Sequence, residues 1–409
     1  MEAVQADGGT TEVQQTLRLV IEDLATLRRG AGSEGEREGA RRLAEHLRAA
    51  GARDVRVEDV PFRPGYAKVL LWLNAIALAA GVVALRRRGR APGAGVVAAM
   101  CGLLVADDVA NGRRLWRRVA TRPGRTTNVV AVAGDPSAER TLVVLAHHDA
   151  APTGVVFDQR AQKWLARRFP RFVEKADTSA PLWWPIIGAP LLLALGALTG
   201  RRGIARAGLG GVAATTALGL DVARDRIVPG ANDNLSGCAA LVGLAQRRDL
   251  PVRVLLASCG AEEVLQGGIY AFRDDHLASL DPSRTWVLNL DTIGSPELFM
   301  IEGEGTLLRV HDYPDPGFRD LIAAAAQRTS GELRRGCRAR SSTDSVITSQ
   351  AGFPTATLCS WDPVTKCLTD YHLPSDTPDR LHYATIERAV EVVAAVAQNL
   401  AGEARSGIG

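Results

Sequence analysis

The sequence contains no CxxC pair. Its six cysteines (Cys101, Cys238, Cys259, Cys337, Cys359 and Cys367) are scattered, which argues against a thiolate zinc site. Lysine is scarce: only Lys68, Lys163, Lys175 and Lys366 occur, and the other basic residues are arginine. The net charge of +4 is too small to imply a nucleic-acid partner, so none is expected. The first 17 residues are polar and acidic and do not read as a cleavable signal, so the chain is expected to start in the cytosol. With 46% apolar and 23% charged residues among 409, disorder and low complexity are excluded. A mean hydropathy of zero excludes a polytopic transporter, yet it is high for a purely soluble chain.

The apolar excess is local. It lies in four segments, at 69–85, 94–106, 181–198 and 203–220. A membrane-spanning helix needs about 20 apolar residues. By that measure the first and third are long enough, and the second and fourth are so only with their flanks. RRRGRAPG (86–93) joins the first two, and TGRRG (199–203) joins the last two. Each pair therefore reads as a helical hairpin that leaves the rest of the chain and returns to the same side. Buried core helices are the competing reading, and a hairpin lying in the interface is a third. The expected division is an insert at 66–110, a second at 179–220, and one discontinuous domain from 1–65, 111–178 and 221–409. The expected location is the cell membrane, multi-pass or hairpin-anchored, with that domain in the cytosol. A soluble cytoplasmic protein is the alternative. Arginine clusters flank the hairpins, where an anionic membrane surface would attract them.

The remainder alternates between two periodicities. Helical spacing appears at 11–28 and 35–50, followed by alternating strands at 55–62 and 128–132 that could pair around the first insert. Largely continuous apolar runs follow at 142–146, 252–257, 286–290 and 355–359, as in strands buried on both faces of a parallel sheet. Helices are expected at 236–246, 268–277 and 320–328. A last helix, with its apolar body at 384–400, is expected to start at Thr377-Pro378. The fold class is α/β: a three-layer α/β/α sandwich with a mixed, mostly parallel central sheet, interrupted by two hydrophobic helical hairpins.

Chemistry-bearing residues follow those strands. His147-His148-Asp149 follows the run at 142–146, Glu262-Glu263 the run at 252–257, and Asp291 the run at 286–290. Gly230-Ala231-Asn232-Asp233-Asn234 opens a helix, and His372 lies in a loop after the last strand. Open α/β sheets bind ligands outside the carboxyl ends of their strands. Imidazoles and carboxylates gathered there make a ligand set that suits zinc. Each residue alone has a duller reading: a surface histidine, a helix start favoured by the dipole, or a turn with an N-cap.

In their joint order these motifs resemble the co-catalytic dizinc aminopeptidases, a superfamily that includes bacterial leucyl aminopeptidase, glutamate carboxypeptidase II and glutaminyl cyclase. The resemblance begins near Gly32-Ser33-Glu34-Gly35 and covers everything outside the inserts. It implies the zinc exopeptidase fold, two zinc ions per chain, and a zinc-dependent aminopeptidase that cleaves the N-terminal peptide bond. The implied metal ligands are His147, Asp233, Glu263, Asp291 and His372, with Asp233 bridging and a cis peptide at Asp233-Asn234. Glu262 is implied as the general base acting on a water held between the metals, and Asp149 as the residue that orients His147. His148 is not implied as a ligand.

The sequence departs from the pattern where related aminopeptidases carry a tyrosine before a Ser-Asp pair. The stretch here reads Arg338-Ala339-Arg340-Ser341-Ser342-Thr343-Asp344, and Arg340 is a candidate substrate or oxyanion contact. The expected partner is a peptide or amide substrate. Alternatives are a hydrolase of another amide such as an N-acyl amino acid, a glutaminyl-cyclase-like transferase, and a non-catalytic receptor or scaffold.

Overall fold

The computed structural model describes residues 11–87, 89–329 and 331–405. The first ten residues of the polar N-terminal segment, and Arg88 in the first hairpin tip, lie outside them. Helices α1 (Glu12–Ala25) and α2 (Glu34–Ala49) precede β1 (Arg53–Phe62). Next come α3 (Tyr66–Arg86), α4 (Pro92–Val109), α5 (Leu115–Ala120), β2 (Gly124–Gly134) and β3 (Thr141–His147). Four helices follow: α6 (Arg160–Arg168), α7 (Pro170–Glu174), α8 (Trp184–Thr199) and α9 (Arg202–Val222). The C-terminal half runs α10 (Ser236–Gln246), β4 (Arg253–Cys259), α11 (Gly268–Asp275), β5 (Thr285–Leu290), β6 (Glu297–Glu304) and β7 (His311–Asp312). It closes with α12 (Pro316–Thr329), β8 (Arg334–Ala339), α13 (Asp344–Gln350), β9 (Thr355–Trp361) and α14 (Tyr383–Arg405).

One sheet runs in the order β1-β2-β4-β3-β5-β9-β6-β7, with β8 pairing β6. The central strands β4, β3, β5 and β9 are parallel, while β2 pairs β4 and β6 pairs β9 in antiparallel fashion. Alternate residues of these strands enter opposite cores. Leu142, Val144 and Ala146 of β3 join a core with α1, α2, α10, α12 and α14, whereas Val143 and Leu145 pack with Ile269 and Phe272 of α11 and Ile347 of α13. That is the expected three-layer sandwich. β1 and β2 pair as expected, with the first apolar insert between them.

Four details differ from the sequence reading. Helix α4 has 18 residues and is long and apolar enough to cross a membrane, as is the 21-residue α3. Helix α8 is the short one at 16 residues, because it begins only at Trp184, with Pro185 in its first turn. Thr377-Pro378 opens only a short turn at Pro378–Arg380, and α14 begins at Tyr383. Strands β6 and β8 were not anticipated.

The two hairpins do not stand apart. Helices α3, α4, α8 and α9 pack as one four-helix bundle, and small residues let their backbones approach. A Cβ added at Gly196 would lie 2.2 Å from the Ala205 nitrogen, and one at Gly208 2.2 Å from the Leu193 nitrogen. Cβ atoms added at Gly81, Gly95 and Gly102 would lie 2.6, 2.6 and 2.9 Å from leucine side chains of the facing helices. The outer surface remains apolar, with Trp72, Val83, Val96, Met100, Leu103, Leu195 and Leu220 exposed.

Candidate metal centre

The parallel strands end at one edge of the sheet, and each delivers part of a single cluster. β3 ends on His147, two residues before Asp149. β4 leads into the turn at Glu262–Val264, Asp291 follows β5, and His372 lies in the loop after β9. Asp233 belongs to the irregular turn Ala231–Leu235 that opens α10, and its peptide bond to Asn234 is cis.

Ligand atoms of His147, Asp233 and Glu263 lie within 4.8 Å of one another. The Asp233 carboxylate faces both ways: Oδ1 is 3.2 Å from His147 Nε2, and Oδ2 is 3.2 Å from His372 Nε2. His372 Nε2 is also 3.1 Å from Glu263 Oε2. The His372 nitrogens lack hydrogen-bond geometry toward these oxygens, and Glu263 Oε1 has no hydrogen-bond partner among the described residues. Buried donor atoms that converge without bonding one another suit a cation, and imidazole with carboxylate suits zinc. Asp291 stands nearby, its Oδ1 accepting a 2.9 Å hydrogen bond from Thr292 Oγ1.

The electrostatics are those of buried acids short of positive charge. Burial, then Asp344, Glu263 and Asp291, push Glu262 well above the usual carboxylate range against the pull of His147. Burial raises Glu263 to about 7, and burial with Asp233 raises Asp291 to about 6. Burial would also raise Asp233, but His147 and His372 outweigh it and hold the carboxyl far below its ordinary value. Burial disfavours charge on His372, yet Glu263 and Asp233 carry it up to about 10. Such a concentration of perturbed groups in one cluster makes it the candidate functional site.

A second set of carboxylates fixes the first. Asp149 accepts from the backbone N–H of Glu262 at 3.0 Å and of Glu263 at 3.1 Å, and its Oδ1 lies 3.5 Å from His147 Nδ1. Asp376 accepts from the N–H groups of Asn232 (2.7 Å) and Asp233 (3.1 Å). Glu36 accepts from Ala261 N–H at 2.8 Å and Thr126 Oγ1 at 2.7 Å. Sequence reasoning missed Asp376 and Glu36, although Ser33-Glu34-Gly35-Glu36 carries a capping-box spacing. His148 is tied into the sheet by Ser258 Oγ, 2.9 Å from its Nδ1. Arg340 is half-buried with its guanidinium 5.1 Å from the Trp184 ring, and Nη1 lacks a partner among the described residues. No ion pair or hydrogen bond among the described residues joins Arg340 to the cluster.

The bundle stands on the rim of this site. Trp183, just before α8, packs edge-on against Tyr66 at the start of α3. Asp221 of α9 accepts from Val155 N–H at 2.8 Å, and the neighbouring Phe157 ring lies 4.4 Å from the His372 ring. Leu265, two residues after Glu263, packs with Leu70 and Leu73 of α3.

Solved structures share the architecture over nearly the whole chain. An aminopeptidase from Aneurinibacillus sp. strain AM-1 is 16% identical, covering 95% of this chain and 93% of its own, with a TM-score of 0.53. A zinc aminopeptidase from Bacillus subtilis is 15% identical, covering 96% of both chains at 0.53. A Bacteroides thetaiotaomicron glutaminyl cyclase bound to N-acetylhistamine is 13% identical, covering 96% and 99% at 0.55. No curated protein matches the chain. The fold is therefore that of the zinc exopeptidases and glutaminyl cyclases among these neighbours. Residues 217–397, which carry the cluster from Asp233 to His372, match the model of peptidase family M28.

Proposed function

We propose that the protein is a membrane-associated, two-zinc aminopeptidase. The observation that carries this reading is the divided carboxylate of Asp233, with one oxygen toward His147 and the other toward His372. Asp233 would be shared between two ions, with His147 and Asp291 holding one and Glu263 and His372 the other. Bound zinc would supply Lewis acidity, lowering the pKa of water to about 7 and polarising the scissile carbonyl.

The remaining work falls to side chains of the protein. Glu262 lies 4.0 Å from His147 Nε2 and is left free of ligation, so it receives the proton of the attacking water and returns it to the departing nitrogen. Asp149 holds His147 and the two glutamates in one frame. We assign Arg340 to a carboxylate or carbonyl of the substrate, since its Nη1 is buried without a partner among the described residues.

Membrane association is supported by the lengths of α3 and α4, the apolar outer surface and the glycine-mediated packing. Both hairpins return to the domain, so the site would sit at the bilayer surface, on the cytoplasmic side in this reading. A glutaminyl-cyclase-like reading is favoured by the equally good fit to that fold.

The test is zinc loading followed by aminoacyl-amide hydrolysis, with Glu262→Gln as the blank. Two zinc equivalents and activity lost in the variant with zinc retained support the aminopeptidase. One equivalent with pyroglutamate formation supports the cyclase, and no zinc binding sinks both. Carbonate washing tests insertion: release from membranes contradicts a spanning bundle.

A further inference from the structure

The turn that carries Glu262 and Glu263 is built in left-handed backbone: Ala261, Leu265 and Gln266 have φ of 56°, 71° and 54°. Non-glycine residues hold that conformation only where surroundings enforce it. The enforcement comes from the foot of the first hairpin. Arg117 donates to Val264 O at 2.8 Å, and Arg114 donates to Leu265 O and, at 3.3 Å, to Gln266 O. Three consecutive carbonyls of the turn are thus held by two arginines just after α4. Arg117 is locked in turn by a wholly buried, two-point ion pair with Asp108 of α4 (2.9 and 2.8 Å).

The side chain of Gln266 continues the connection. Its Nε2 donates to Glu262 Oε1 and to Ser342 O, both at 2.8 Å. Its Oε1 accepts from Ser342 Oγ at 3.1 Å, and Ser342 Oγ accepts from Asn111 Nδ2 at 3.0 Å. Asn111 lies just past the end of α4, and its Oδ1 accepts from Tyr270 O–H at 3.2 Å. Gln266 and Asn111 are buried, and Ser342 between them is half-buried. The Glu262 oxygen that faces Gln266 is fixed by a chain of amide and hydroxyl groups that ends on Asn111, two residues past α4 of the apolar hairpin.

We propose that Gln266 is a positioning residue for Glu262 and that the first hairpin braces it through Ser342 and Asn111. The hairpin is then part of the support of the active site as well as an anchor. The inference rests on the reading of Glu262 as the base. It implies that one Glu262 oxygen is held by the amide while the other is left to receive the proton.

The test is a double-mutant cycle on the full-length, zinc-loaded protein. Gln266→Leu removes the donor at similar volume. Displacing a catalytic group by about 1 Å costs about 100-fold, so kcat should fall about 10- to 100-fold with KM within twofold. Zinc content, measured by metal analysis, should be unchanged. In a Glu262→Gln background, Gln266→Leu should lower the residual rate no further, because a residue acting through Glu262 has nothing left to position. Ser342→Ala, which leaves the backbone carbonyl in place, should give a smaller fall of the same kind. Full kcat in Gln266→Leu overturns the proposal, as does an equal fall in both backgrounds. If Gln266→Leu does not fold, Ser342→Ala decides by the same cycle. Full activity in Glu262→Gln alone would instead overturn the assignment of the base.

Discussion

Asp149→Asn changes one atom at a point where three partners meet. Both carboxylate oxygens are engaged, one by Glu262 N–H and the other by Glu263 N–H, and the residue is fully buried. An asparagine offers a single acceptor. Whichever way its amide turns, an N–H faces one of the two backbone N–H groups. A buried donor left without an acceptor costs about 1–3 kcal/mol. The oxygen nearest His147 Nδ1, at 3.5 Å, also loses its charge. Loss of such an outer partner lowers metal affinity by about 10- to 100-fold. That is about 1.4–2.7 kcal/mol at 1.36 per tenfold, so the two routes give the same scale. The expected result is a 10- to 100-fold weaker zinc site in chelator competition. A fall in kcat should persist at saturating zinc, because the turn bearing Glu262 has shifted. Parental zinc affinity and kcat, both within twofold, would refute the role of Asp149 as the common frame.

Asp108→Ala should strand the buried Arg117 guanidinium, at a cost of about 3–5 kcal/mol. With unfolding entropy near 2.1 cal/mol/K per residue over about 400 residues, that corresponds to a melting point lower by about 4–6 °C in a detergent-solubilised melt. Gly208→Val forces a side chain against the α8 backbone, and overpacking of about 1–3 kcal/mol should appear as a smaller drop in the same melt. The pH response of metal-free protein is a third check. Burial and then Asp149 raise Glu36 to about 8, and burial raises Glu304 to about 7, both from an unfolded value near 4.3. The folded state therefore binds more protons between these values. The stabilisation is fully present below about pH 4 and is lost as pH rises through 7–8. The metal-free protein should melt lower at pH 8 than at pH 5.5, and an opposite slope would contradict these burial effects.

Much of this was legible because the chemistry follows the pattern. His147, Glu262, Glu263 and Asp291 come directly after apolar runs, and parallel strands must deliver such residues to one edge. Strand β8 was hidden because RRGCRA reads as a charged loop. Only Cys337 and Ala339 enter a core, while Arg335 pairs with Glu302 and Arg338 with Asp312. Gln266 gave no signal, because its role depends on Ser342, 76 residues away. The union of the hairpins was hidden for a similar reason: glycine approaches between α8 and α9 were readable only within a pair, and those from Gly95 and Gly102 to α8 cross between pairs.

That union has a consequence for how the chain is made. All four bundle helices lie between residues 66 and 222, and among the described residues β3 pairs only with β4 and β5, which begin at Arg253 and Thr285. During synthesis from the N-terminus, the bundle can be complete while the central sheet still lacks its middle. The first apolar hairpin therefore precedes all of the domain on which it stands but α1, α2 and β1, and the second precedes α10 and all that follows. Synthesis order lets the bundle form first, with the strands that lead to Glu262, Asp291 and His372 arriving onto a foundation already laid.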